Sequence, residues 1–221
     1  NNGPCGNTSD EMAIRRFDPN NPVANAGPDQ SICVPVAPNL VTMAASSITA
    51  PAAGTWTIVS GGGTIANVNS PTTQISNMPP GISEFRWTVS NGPCPNGLTN
   101  DVVRVFVFDS NAPVANAGPD ISLCSVSGTA TMTGSIVASP SIGTWTLVSG
   151  TGTIANLNSP TAQITGLAVG QNIFQWTVDN GPCASGITTD QMSIFVYDPS
   201  NPSADAGQDQ NVCTSAGNTI Q

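Results

Sequence analysis

The chain is 221 residues long with a net charge of −9; charged residues make up 8% of it, and it contains neither histidine nor lysine. Its cations are Arg15, Arg16, Arg86 and Arg104, so there is no basic surface to neutralise phosphates, which excludes nucleic acid as a partner and disfavours anionic membranes. No run reaches the roughly 18 apolar residues of a membrane span, and the opening residues lack a charged-then-apolar signal pattern, so any export signal is expected outside this sequence.

In chain order, residues 1–17 are expected to be the last hairpin of a preceding repeat, 18–108 and 109–197 two complete repeats, and 198–221 the first strands of a following one. Within the first complete repeat the runs rich in β-formers predict strands at Val23–Ala26, Ser31–Cys33, Leu40–Ala44, Gly54–Val59, Thr73–Ser76, Ser83–Ser90 and Asp101–Phe108. Gly, Pro, Asn and Ser clusters separate them, and Gly61–Gly63 reads as a turn between strands rather than a phosphate cradle, because no helix start and no lysine follow. Phe85, Trp87 and Val89 share one strand face, and Val103, Val105 and Val107 share another, which directs both faces to a core. Trp56, Trp87, Trp145 and Trp176 are expected there as core tryptophans rather than ligand platforms.

The repeats are explicit. Pro22–Asp29 (PVANAGPD) returns unchanged at Pro113–Asp120 and altered at Pro202–Asp209; GTWT recurs at Gly54 and Gly143, GTIAN at Gly63 and Gly152, and NSPT at Asn69 and Asn158. NGPC ends at Cys5, Cys94 and Cys183, and both intervals (94 − 5 and 183 − 94) are 89 residues. A unit of about 90 residues built from short strands and turn clusters, without helix signals, is the signature of a seven-stranded sandwich, so the fold is expected to be all-β, a tandem of immunoglobulin-like antiparallel β-sandwiches.

These strings together, ANAGPDQ-x-x-C, GTWT-x-VSG-x-GTI, NSPT, WTVSNGPC and the closing DVV-x-V strand, resemble the PKD-like and immunoglobulin-like repeats of very large Bacteroidota surface proteins, among them gliding-motility adhesins and other cargo of the type IX secretion system. The resemblance covers both complete repeats and both fragments; the third copy departs from it at Gln208, where the earlier copies have proline. It implies an extracellular, cell-surface or secreted adhesin, stalk or filament, and it carries no catalytic residues over.

Three kinds of chemistry remain to be weighed. For catalysis there is little material: histidine is absent, Glu11 and Glu84 do not recur together, and no cysteine has a neighbouring histidine or lysine to lower its pKa, so no enzyme is expected. Calcium at the repeat junctions is the sharper option, since Asp18, Asn20 and Asp29 return as Asp109, Asn111 and Asp120, and hard cations take several such oxygens; the competing reading is that Asp and Asn are simply turn formers. The six cysteines, lacking close C-x-x-C pairs, read as disulfides of an oxidising compartment. Three connectivities stay open: within each repeat (Cys33 with Cys94, Cys124 with Cys183), from repeat to repeat (Cys33 with Cys183), or between cysteines adjacent in sequence (Cys5 with Cys33, Cys94 with Cys124, Cys183 with Cys213). The first is favoured because every repeat carries its own two, although it asks two ends of one sandwich to meet.

The function expected is therefore structural and adhesive: sandwiches in series through short proline-containing connectors, forming a surface stalk or filament with neighbouring repeats or identical subunits as partners. The alternative is a set of glycan- or protein-binding modules of a surface adhesin, which a two-repeat protein would reveal on a sugar array.

Overall fold

The computed structural model describes residues 9–20, 23–35, 39–95, 97–112, 114–124, 128–200 and 204–211. Among them there are fourteen strands and no helix. The first repeat comprises β1 (Gln30–Val34), β2 (Leu40–Thr42), β3 (Ala53–Ser60), β4 (Thr64–Ile65), β5 (Gln74–Ser76), β6 (Gly81–Ser90) and β7 (Leu98–Asp109). The second repeats the plan with β8 (Ile121–Leu123), β9 (Ala130–Thr131), β10 (Ile142–Ser149), β11 (Thr153–Ile154), β12 (Gln163–Thr165), β13 (Gly170–Asp179) and β14 (Ile187–Val196).

Each repeat is a sandwich of a four-stranded and a three-stranded sheet: β1-β7-β6-β3 over β2-β5-β4, and β8-β14-β13-β10 over β9-β12-β11. The pairings are antiparallel except at one edge, where β1 runs parallel to β7 and β8 parallel to β14. The all-β, tandem immunoglobulin-like or PKD-like sandwich expected from the repeats is thus the observed fold.

The core follows from the period-2 pattern. In β6 every second residue from Ser83 to Val89 is buried, and β7 buries Val103, Val105 and Val107. Trp56 and Trp87 are directly paired across strands with ring centroids 5.1 Å apart, and Trp145 and Trp176 repeat the arrangement at 4.9 Å. Three of these indoles place their N–H: Trp56 on Ser70 O, Trp145 on Ser159 O and Trp176 on Ser135 Oγ. All four rings lie almost wholly inside the two cores.

One expected strand is not a strand. Val23–Ala26 makes no ladder, because the amides of Ala24 and Ala26 are taken by side chains of β7: Thr99 Oγ1 accepts from Ala24 N and Asp101 Oδ2 from Ala26 N, each at 2.8 Å. Thr188 and Asp190 hold Ala115 and Ala117 identically in the second repeat. The segment therefore lies along the edge at side-chain distance until Gln30, where backbone pairing begins. The short β4 and β11, two residues each, have no counterpart among the strands read from sequence.

Candidate functional site

The feature with most chemistry is the joint between the two repeats, and it is assembled from the Asn-Gly-Pro-Cys motif. This motif forms the tight turn linking β13 to β14. Asn180, although polar, is buried: its N–H bonds Gly186 O within the turn, its Oδ1 accepts from Ser141 Oγ at 2.6 Å, and its Nδ2 donates at 2.9 Å to the carbonyl of Asp109, the last residue of β7. A buried amide satisfied on both ends by different elements fixes their mutual position, since shifting either would orphan a polar atom.

Gly181 follows with φ +56°, a left-handed conformation that side chains disfavour. A Cβ there would stand 2.6 Å from Cε2 of Phe108, so the bare backbone is what lets the aromatic ring lie flat against the turn. Phe108 retains only 9% of its exposure. It projects from the end of β7, and the next repeat's turn is what the ring meets.

Cys183 closes the joint. It is bonded to Cys33 in β1, with Cα atoms 5.1 Å apart and a sequence separation of 150 residues. The bond runs between repeats, which corrects the favoured expectation of Cys33 with Cys94 and Cys124 with Cys183. The reason is the length of β7: Cys33 lies opposite Phe108 at one end of it, whereas Cys94 precedes Leu98 at the other. At about 3.4 Å per residue the strand separates those cysteines by roughly 30 Å, far beyond disulfide reach. Among the described residues Cys94 is free and half-buried and Cys124 is free and exposed; Cys5 and Cys213 lie outside the described residues.

The same joint is half-built at the other end of the first repeat. Asn91 is buried and donates Nδ2 to Asp18 O at 2.9 Å, and Gly92, φ +60°, carries Phe17 at the distance at which Gly181 carries Phe108. Residues 9–17 form no strand, yet Phe17 occupies the place of Phe108.

The oxygens considered as calcium ligands are placed but not gathered. Asp18 Oδ1 accepts from Asn20 N, and Asp109 Oδ1 from Asn111 N, which are turn-forming contacts within two residues. Asp29 Oδ1 accepts from Arg104 N and Asp120 Oδ1 from Ser193 N, capping the sheet edge. Among the described residues no three acidic, cysteine or histidine side chains converge on a common point. Elsewhere on the surface, the hydrogen bond from Arg104 Nε, with help from Ser60, holds the Glu84 carboxyl below the usual carboxylate range. Asp198 is likewise lowered, by the hydroxyl and amide of Ser200.

The residues that build the joint were only partly visible in the sequence. NGPC is visible as a repeat and its cysteine as a disulfide partner. That its asparagine would be buried had one available signal, three occurrences in a motif whose turn needs only glycine and proline. Asp101 and Asp190, which clamp the sheet edges rather than the joint, had no signal beyond their 89-residue spacing (190 − 101).

No protein-family model matches the chain, and no curated protein matches it significantly. Solved structures are similar to it at low identity and low scores. The PKD domain from the KIAA 1837 protein is similar at 21% identity and a TM-score of 0.34, over 49% of this chain and all 100% of that one. Dpr2 Ig1-Ig2, solved in complex with DIP-Theta Ig1-Ig3, is similar at 15% identity and a TM-score of 0.44, over 80% of this chain and 66% of that one. A SusE-like surface-located polysaccharide-binding protein from Bacteroides thetaiotaomicron is similar at 11% identity and a TM-score of 0.30, over 79% of this chain and 34% of that one. At identities and scores of this size the likenesses carry no argument.

Proposed function

We propose that the chain is a non-catalytic segment of an extracellular repeat array, with repeats at 18–108 and 109–197, that serves as a surface stalk or filament. The observation that supports it is the joint. Two sandwiches linked only by a connector would swivel; these are tied by the Cys33–Cys183 bond, by the seat of Phe108 on Gly181, and by the Asn180 amide, three different kinds of link within one turn. Immobilising a joint has no use in a module that works alone, and much in a structure that must hold its length. A disulfide also fits an oxidising, extracellular setting. The resemblance of the motifs to repeats of large Bacteroidota surface proteins points the same way.

Small-angle scattering of the 221-residue protein, oxidised and reduced, tests this. A single rod-like particle whose maximum dimension is narrowly distributed until the disulfide is reduced is the expected result; an oxidised protein that already samples a wide range of inter-repeat angles would defeat the stalk reading. Saturable binding on a glycan array, abolished by changing one outward-facing side chain, would replace it with the binding-module reading.

A further inference from the structure

The second repeat ends with half a joint. Tyr197 stands where Phe17 and Phe108 stand, but it is 55% exposed against 9% for Phe108. Beside it a shallow cleft of about 300 Å³ is lined by Val169, Gly170, Phe195, Val196, Tyr197 and Asp198. Asp198 accepts from Ser200 N at 2.8 Å, repeating the Asp18 and Asp109 turns that lead into each repeat. Immediately after the edge strand β8 of the same repeat, Cys124 occupies the sequence place of Cys33 and is exposed. At the opposite end of the molecule, Cys94 occupies the place of Cys183. Every element of the observed joint is thus present once more, divided between the two ends.

We propose that Cys94 and Cys124 are the open halves of two further inter-repeat disulfides. The Tyr197 face and Cys124 receive the Asn-Gly-Pro-Cys turn of one further repeat of this design, and Cys94 receives the edge-strand cysteine of another. The partner is specified by the joint already formed: a left-handed glycine to admit the ring, an asparagine amide to reach the carbonyl after it, and a cysteine two residues beyond that glycine. Each closure removes two protons and two electrons from a pair of thiols, and a disulfide oxidant, small or protein-borne, accepts them by exchange and leaves as two thiols. The bonds then overlap: each spans a repeat junction and each repeat is bonded to both neighbours. This rests on the reading of the chain as part of a serial array, but the cysteine map that tests it does not depend on what the array is for.

The experiment is a non-reducing peptide map of the chain with residues 112–200 duplicated in tandem, after oxidation in a glutathione buffer. The expected result links Cys124 to the cysteine of the added Asn-Gly-Pro-Cys turn while Cys33–Cys183 is retained, and Cys124, alkylated by maleimide in the 221-residue protein, becomes protected. Tyr197→Ser in the lengthened chain should slow closure several-fold without disturbing Cys33–Cys183. Cys124 left alkylatable beside an intact Cys33–Cys183 bond, or linked to Cys94, or to Cys124 of another molecule, overturns the proposal. Should the lengthened chain lose Cys33–Cys183 itself, the same map on protein isolated from its own cells decides: Cys124 joined to an Asn-Gly-Pro-Cys peptide upholds it, and any other state of Cys124 overturns it.

Discussion

Phe108 against Gly181 is the contact on which the joint's geometry is most sensitive to a single atom. Gly181→Ala adds one methyl, at positive φ and against the ring, and both penalties act in the same direction, for a cost of about 1–3 kcal/mol. The two parts can be separated: in Phe108→Ala/Gly181→Ala the steric part disappears while the backbone part stays. The double variant should therefore be more stable than the sum of the single changes predicts, with a coupling of about 0.5–2 kcal/mol by denaturant melts; strict additivity would mean the ring and the turn do not touch. Asp18, Asp29, Asp109 and Asp120 support a different expectation. Each already accepts a backbone N–H, and they do not converge. Addition of a chelator should leave the thermal melt where it was, and a melting temperature that rises with calcium would return these carboxylates to the role of ligands.

Among the elements, the edge of each four-stranded sheet is the least obvious. The segment before β8 is held to β14 by Asp190 and Thr188 rather than by a ladder, and Asp190→Ala leaves the Ala117 amide, in a residue with no exposure, without its acceptor. The cost should be about 1–3 kcal/mol, and hydrogen exchange should localise it: the Ala117 amide loses protection while the β13–β14 ladder keeps it. Equal loss across the ladder would mean the clamp is part of the global core. This also shows where sequence reasoning succeeds and stops. β3, β6 and β7 were legible, because alternation over eight or more residues leaves one arrangement that buries Trp56, Phe85 and Val105 together. Val23–Ala26 alternates too and so carries a strand's signature; nothing in the pattern says whether a backbone or an aspartate supplies the acceptor. Thr64–Ile65 is too short for any periodicity. The cysteines were legible as bonded, but their pairing needed the length of β7 and the stacking of one repeat on the next, both three-dimensional quantities.

At the scale of the whole molecule the consequence of Cys33–Cys183 is topological. A pull applied at the two ends of the chain reaches Cys33, crosses the sulfur bridge to Cys183 and continues along β14, so the chain between them, a sequence separation of 150, lies off the load path. That loop contains β2 to β7 of the first repeat and β8 to β13 of the second, with both tryptophan pairs. The cores are shielded by connectivity, whatever their thermodynamic stability. Single-molecule stretching from residues 1 and 221 should therefore give a much shorter final contour for the oxidised protein than for the reduced one. At about 3.4 Å per extended residue the difference is roughly 500 Å. It should appear only after reductant is added, and Cys33→Ser should release it without reductant. An oxidised chain that yields the full length would show that the bridge does not carry the load; one that yields the short length has a joint that holds after its hydrogen bonds and aromatic seat have failed, which is the property a stalk made of many such joints requires.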